Sequence, residues 1–308
     1  MITYLQQSLD RIAIRLATQT VSGGWRRKDQ VERAAELLAR PDLLAPEATA
    51  AKLQFKNKRQ FTFESVMRTP WDSPTAKGSL WRAGGEWQKR PAVILIHGWN
   101  GEWGYHLAFP WMQMALAARG INALKFELPF HGFRRPPGPG RINNLISDDL
   151  ITMIEGVRQS LTDILSLRLW LLEQGCPTVS LWGYSFGGWL AGLLAAHPQP
   201  FKAVILMNAV ARMDIAMATL PFAHPVRDSI AAAPVNLGAF NLDPLKPTTQ
   251  NILVMEGQRD LFIPPETLDE LASKWSGSEL WRMKHSHISI CFGALTLNRA
   301  VRWLAARA

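Results

Sequence analysis

The sequence predicts an α/β protein built on a doubly wound, mostly parallel sheet, with a helical N-terminal extension and a small cap insertion. Three observations carry this. From residue 91 onward, short wholly apolar runs alternate with longer stretches at helical spacing, the pattern of strands buried on both faces and joined by crossover helices. Just before them, FTFESVM (61–67) alternates apolar and polar residues like a half-exposed strand. Finally, one connection, about 44 residues between AVILM (203–207) and ILVME (252–256), is too long for a single crossover helix.

Residues 1–55 carry helical spacing at Leu5, Leu9, Ile12 and Leu16, and again at Val31, Ala34, Leu37 and Leu38, with a break at SGG (22–24) and a stop at Pro41. They read as two helices whose apolar faces pack on the main domain. Arg11, Arg15, Arg26 and Arg27 in the same segment also suit a membrane surface, the less favoured reading. KGSLWR (77–82) is the expected partner of FTFESVM across the turn WDSPTA. The central strands are AVILI (92–96), INALKF (121–126), TVSLW (178–182), AVILM and ILVME, with the less apolar ELWRM (279–283) expected at an edge. Pro110 to Gly120 brackets one crossover helix, and Leu150, Ile154, Val157, Leu161, Leu165 and Leu169 mark the face of a long second one, stopped by Gly175 and Pro177. Further helices are expected at 186–196, 265–274 and 292–306. Within the long connection 226–233 can serve as the crossover helix, leaving the rest of 209–249 as a lid or cap. The main domain is then 56–308.

With 308 residues and 47% hydrophobic content, the chain can bury a sizeable core. Its formal charge of +9 is spread along the sequence. The tightest group, Arg134, Arg135 and Arg141 in RRPPGPGR, reads as a solvated loop in preference to an anion-contacting rim. No nucleic-acid motif accompanies the charge. Two cysteines, Cys176 and Cys291, cannot make a disulfide framework, the N-terminus lacks a secretory pattern, and no run is apolar enough to span a bilayer. A cytoplasmic protein is expected.

The chemistry concentrates at strand ends. Gly183-Tyr184-Ser185-Phe186-Gly187-Gly188 follows TVSLW and precedes WLAGLLAA, so Ser185 sits on a tight strand-to-helix turn with its hydroxyl pushed clear of the sheet. A serine hydroxyl needs a base and a group to orient that base. After ILVME comes Asp260, bracketed by Gly257 and Pro264 and preferred over Glu256 and Asp214. After ELWRM comes KHSHIS, where His287, preceded by small Ser286 and reached by a longer loop, is preferred over His285. Asp148, Asp149 and Asp163 read as solvated residues of the long helix, and His106, His197 and His224 as structural. For a developing oxyanion, the Phe186 amide and the Trp99 amide in HGWNGEWG (97–104) are the expected donors, with His97 holding that loop in shape. Trp99, Trp103, Tyr184 and His285 are candidates for the substrate pocket. Trp111 and Trp182 read as core.

Strand-HGWNG, strand-GYSFGG, ILVMEGQRD and the late HSHIS resemble the α/β-hydrolase superfamily from about residue 60 to the C-terminus. That resemblance implies Ser185 as nucleophile, Asp260 as acid, His287 as base, and Trp99 and Phe186 as oxyanion donors, with no cofactor or metal. Many members carry glycine where this chain has Ser286. ELPFHGFRRP (127–136) is similar to a second family segment through Glu127, Pro129 and His131-Gly132, and its continuation resembles a little-characterised subgroup with a His-Gly-aromatic-basic-basic-Pro segment. The expected activity is hydrolysis of a carboxylic ester of an apolar or aromatic acyl group, a small-molecule substrate. The alternatives are a peptidase of the same fold or a catalytically silent binding protein.

Overall fold

Along β4 (Ala92–Ile96) every side chain is buried, because the strand has protein on both sides. Val93 and Leu95 point to one face, where they meet Met112, Leu116, Leu297 and Val301. Ile94 and Ile96 point to the other and join Leu161, Leu165 and Leu190. The two-residue period of a strand thus divides the interior into two layers of core, as a continuous apolar run requires.

A computed structural model of the chain describes residues 2–20, 30–40, 43–44, 46–67, 74–135, 145–231 and 236–308. The expected stops at SGG and Pro41, and Arg26, Arg27 and Arg141, lie outside these residues. Two helices, α1 (Ile2–Thr20) and α2 (Gln30–Leu38), come first, then the strands β1 (Gln54–Phe55), β2 (Gln60–Glu64) and β3 (Thr75–Trp81). The wound part follows as β4, α3 (Glu102–Ala117), β5 (Asn122–Phe126), α4 (Leu150–Glu173), β6 (Val179–Tyr184), α5 (Phe186–Ala195) and β7 (Val204–Met207). The long connection holds α6 (Met213–Thr219) and α7 (His224–Ala231), and the chain closes with β8 (Ile252–Gly257), α8 (Pro265–Lys274), β9 (Glu279–Met283) and α9 (Ala294–Ala305).

These strands form one nine-stranded sheet in the order β1-β2-β3-β5-β4-β6-β7-β8-β9. The pairings β1–β2, β2–β3 and β3–β5 are antiparallel, and all others are parallel. As the sequence predicts, the sheet is mostly parallel, led in by antiparallel strands, with ELWRM at its edge. From β4 the chain passes to one side to make β5 and then to the other to make β6. The C-terminal ends of β4 and β6 therefore flank a switch point, the place where doubly wound sheets open a crevice.

Several expectations change in the structure. Pro110 does not start its helix but lies inside α3, which begins at Glu102. Asp148 and Asp149 are buried, and Asp149 caps α4 by accepting from the Thr152 N–H at 3.1 Å. Asp163 is also buried, in an ion pair of 2.8 Å with Arg134. Of the two described arginines of RRPPGPGR, Arg134 is thus core, and only Arg135 stays exposed. The apolar stripe of α1 is largely exposed: Leu5 is 59% exposed, Leu9 46%, Ile12 58% and Leu16 57%. The helix docks instead on the adjacent face, where Asp10 and Ala17 are buried, and it packs against the turn Pro221–Ala223. Periodicity finds a helix but cannot say which of two neighbouring stripes meets the domain. Among the described residues no helix is long and apolar enough to cross a membrane, and both cysteines are free and buried.

Candidate active site

β6 ends at Tyr184 and α5 begins at Phe186, so Ser185 alone makes the turn, at φ 55° and ψ −119°. For a residue with a Cβ this backbone costs on the order of 1–3 kcal/mol and survives only where the surroundings impose it. Here they do: the Ser185 N–H donates to the Met207 carbonyl at 2.9 Å, and its own carbonyl accepts from the Trp189 N–H at 3.0 Å. The flanking glycines are required by space. A Cβ on Gly183 would lie 2.1 Å from the Gly187 carbonyl oxygen, and one on Gly187 would lie 2.4 Å from the carbonyl oxygens of Ile96 and His97.

The loops after β8 and β9 converge on this serine. His287 Nε2 is 2.9 Å from Ser185 Oγ, and His287 Nδ1 is 2.6 Å from Asp260 Oδ2. A carboxylate only accepts, so Nδ1 carries the imidazole proton and Nε2 is left to accept from the serine. The other carboxylate oxygen, Asp260 Oδ1, accepts from the N–H groups of Phe262 at 2.7 Å and Ile263 at 2.9 Å. Burial holds the Asp260 carboxyl above its ordinary range, with His287 and the Ile263 amide opposing that rise and Asp10 adding to it. The Phe262 ring stacks on the imidazole at 4.5 Å. Glu256 and Asp214 take no part, Asp214 being paired with Arg212 at 2.8 Å.

The loop after β4 presses on the same point. A Cβ on Gly98 would sit 3.0 Å from Ser185 Cβ, so the backbone at 98–99 runs directly beside the serine. Two histidines hold this loop. His97 Nε2 accepts from the Leu128 N–H at 3.1 Å and its Nδ1 donates to the Gly98 carbonyl at 2.8 Å. His131 Nε2 accepts from the Asn100 N–H at 3.1 Å, and its Nδ1 donates to the Pro129 carbonyl at 2.8 Å. The Asn100 amide is thus engaged, and Phe186, at the first position of α5, directly follows the serine. The first turn of a helix has no internal acceptor for its N–H groups.

Above the serine lies a cavity of about 520 Å³. The insertion supplies much of its wall, including Met213, Met217, Phe222 and Val226; α4 adds Leu150 and Ile154, and α1 adds Ala13, Leu16 and Ala17. The indole of Trp99 lines it and stacks on Phe222 at 4.5 Å. Trp189 ties the insertion down by donating from Nε1 to the Phe240 carbonyl at 2.7 Å.

Other expected pocket residues fare differently. Tyr184 is buried at the cavity floor, but its hydroxyl is spent on the His287 carbonyl, 2.9 Å away. His285 does not line the cavity: it turns toward α9, with Nε2 3.2 Å from Thr296 Oγ1. The Trp103 side chain lies outside the described residues. Sequence reasoning overlooked Asn208, whose φ of 45° lets its side chain accept from the Gly257 N–H at 2.8 Å and reach the His287 carbonyl at 3.5 Å. An asparagine just past a buried strand was the available signal.

A serine on a strand-to-helix turn, with an imidazole and a carboxylate arriving from later strand ends of a doubly wound sheet, is the arrangement of the α/β-hydrolase fold. The model of the alpha/beta hydrolase family matches residues 93–308, and the chain belongs to that family. No curated protein matches it in sequence. Among solved structures it is similar to an acetyl xylan esterase from Paenibacillus sp. R4 (15% identity, TM-score 0.62, covering 93% of this chain and 98% of that one). It is also similar to Est1E from Butyrivibrio proteoclasticus with ferulic acid bound (17%, TM-score 0.58, 76% and 95%). A third is the enol-lactonase from Burkholderia xenovorans LB400 (21%, TM-score 0.51, 75% and 96%).

Proposed function

We propose that the protein is a serine hydrolase that cleaves a carboxylic ester of an apolar acyl group through an acyl-enzyme. The observation that carries this is the continuous hydrogen-bonded chain from Ser185 through His287 to Asp260 on the floor of an apolar cavity. Ser185 Oγ attacks the ester carbonyl while His287 Nε2 takes its proton, and the oxygen that becomes negative is met by the Phe186 and Trp99 amides. The imidazolium returns the proton to the leaving alcohol. Water, deprotonated by the same nitrogen, then releases the acid and restores Ser185. Asp260 keeps the proton on Nδ1 and steadies the charged imidazole between these transfers.

The walls support an apolar substrate. The cavity offers methionine, leucine and aromatic side chains, so the acyl chain gains by leaving water, roughly 0.8 kcal/mol per buried methylene. That His287 faces Ser185 favours an active enzyme over a silent binder of the same fold. Hydrolysis of p-nitrophenyl esters of graded acyl length, together with fluorophosphonate labelling, tests the proposal. Labelling at Ser185 and faster turnover on longer acyl groups are expected. An unreactive serine in the folded protein refutes it.

A further inference from the structure

Helix α1 meets the site through a carboxylate. Asp10 is 0% exposed. Its Oδ1 accepts from Ser286 Oγ at 2.8 Å and the Ile288 N–H at 3.0 Å, and its Oδ2 from the His287 N–H at 3.0 Å and the Leu261 N–H at 3.1 Å. Three of these donors belong to the loop that carries His287, and the fourth directly follows Asp260. An ionised carboxylate has about four acceptor positions, so all of them are filled, and no cation pairs with Asp10 among the described residues. Hydrogen bonds to a charged acceptor are stronger than neutral ones. An amide in this place would turn its own N–H₂ toward two donors.

Neighbouring contacts run the same way. The Gln6 carbonyl, 3.0 Å from Ser286 Oγ, is an alternative acceptor for that hydroxyl's one proton, and Arg259 donates to Gln6 Oε1 at 2.8 Å. Ser286 is the position at which the chain departs from the glycine that many family members carry, and its hydroxyl is the one side-chain donor in the set.

We propose that Asp10 is a positioning residue of the active site, fixing the backbone of the His287 loop against the Asp260 loop so that Nε2 stays aimed at Ser185. Helix α1 is then a working part of the hydrolase. Ser286 is its docking point. This inference rests on the serine-hydrolase reading, and its test separates the two.

The test compares full-length parent, Asp10→Asn and Ser286→Ala proteins by steady-state kinetics on one p-nitrophenyl ester, by fluorophosphonate labelling, and by the low-field proton resonance of His287 Nδ1–H. Because small misplacements of a reacting group are costly, Asp10→Asn is expected to lower kcat by about 10- to 100-fold with KM within about twofold. The low-field resonance should broaden or vanish. Ser286→Ala, which removes one donor of four, should lower kcat by about tenfold or less in the same pattern. A folded Asp10→Asn protein with parental kcat and an unchanged resonance overturns the proposal. Should that variant fail to fold, Ser286→Ala decides, and parental kcat there overturns it. A parent whose Ser185 is never labelled refutes the hydrolase instead, and the resonance still decides the role of Asp10.

Discussion

Two buried polar clusters lie within the same fold and use the same kinds of group to opposite ends. In one, Arg134 is paired with Asp163 at 2.8 Å, and Ser65 bridges them, donating to Asp163 at 2.5 Å and accepting from Arg134 at 3.0 Å. Both charged side chains have 0% exposure, and helices and strands close over them. In the other, Ser185, His287 and Asp260 form a chain of similar lengths, but it ends at a cavity and rests on a serine with strained backbone. The sealed cluster spends its groups inside the protein, Arg134 also donating to the Glu127 carbonyl and Ser65 also accepting from Gln159. The open one leaves the serine and the imidazole at the wall of a cavity, and that difference, not the presence of charge, sets it apart.

The comparison breaks most visibly at Ser185. Ser185→Ala should abolish ester hydrolysis, with kcat falling by about 10⁴-fold or more, while thermal melting stays at or above the parent's because the side chain contributes reactivity and no packing. Parental turnover in that variant would move the chemistry elsewhere. The reverse is expected at Arg134. Arg134→Met strands a buried Asp163 and should cost about 3–5 kcal/mol in chemical denaturation, with kcat of the folded protein within about threefold of the parent. Adding Asp163→Leu should restore much of that loss, giving a clear coupling energy in the double-mutant cycle. A simple sum of the two single effects would show that the pair is not the unit described.

The contrast also shows what the sequence could and could not disclose. The central strands were legible because burial on both faces writes a continuous apolar run, and Ser185, Asp260 and His287 were legible because strand ends are where a doubly wound sheet exposes side chains. Arg134 and Asp163 looked solvated for a reason of the same kind: they stand 29 residues apart, and nothing local reports that a long helix will bring one against the other. Asp10 is the stronger case. It lies 277 residues before His287, on a helix whose apolar stripe suggested a different docking face. Pairings across the fold leave no periodic signature.

Filling the open cluster's cavity tests a smaller effect. Met217 lies buried on α6 and lines the cavity, so Met217→Trp takes up part of the cavity volume. Activity on a long acyl ester should fall by about 10-fold or more relative to acetyl, since a few lost methylene contacts are each worth about 1 kcal/mol or less. An unchanged acyl preference would mean the chain binds along another wall.

The smallest effect concerns the carboxylate that the site does not use. Glu256 is buried at the end of β8, its nearest cation is Arg282 at 3.7 Å, and burial, reinforced by Asp269, pushes its carboxyl up to about 7. Asp260, four residues on, is buried as well, but its two oxygens are taken by two amides and an imidazole. Because the folded-state value of Glu256 lies above its ordinary 4.5, the group stabilises the fold in its protonated form. That contribution is complete below about 4.5 and is lost as pH rises through about 7. Glu256→Gln mimics the protonated state at every pH. The stability of the variant relative to the parent should therefore increase between pH 5 and pH 8.5, by on the order of 1 kcal/mol after the lost Arg282 contact is counted. Melting curves at the two pH values measure this directly. A relative stability that is flat with pH would mean Glu256 stays ionised across this range.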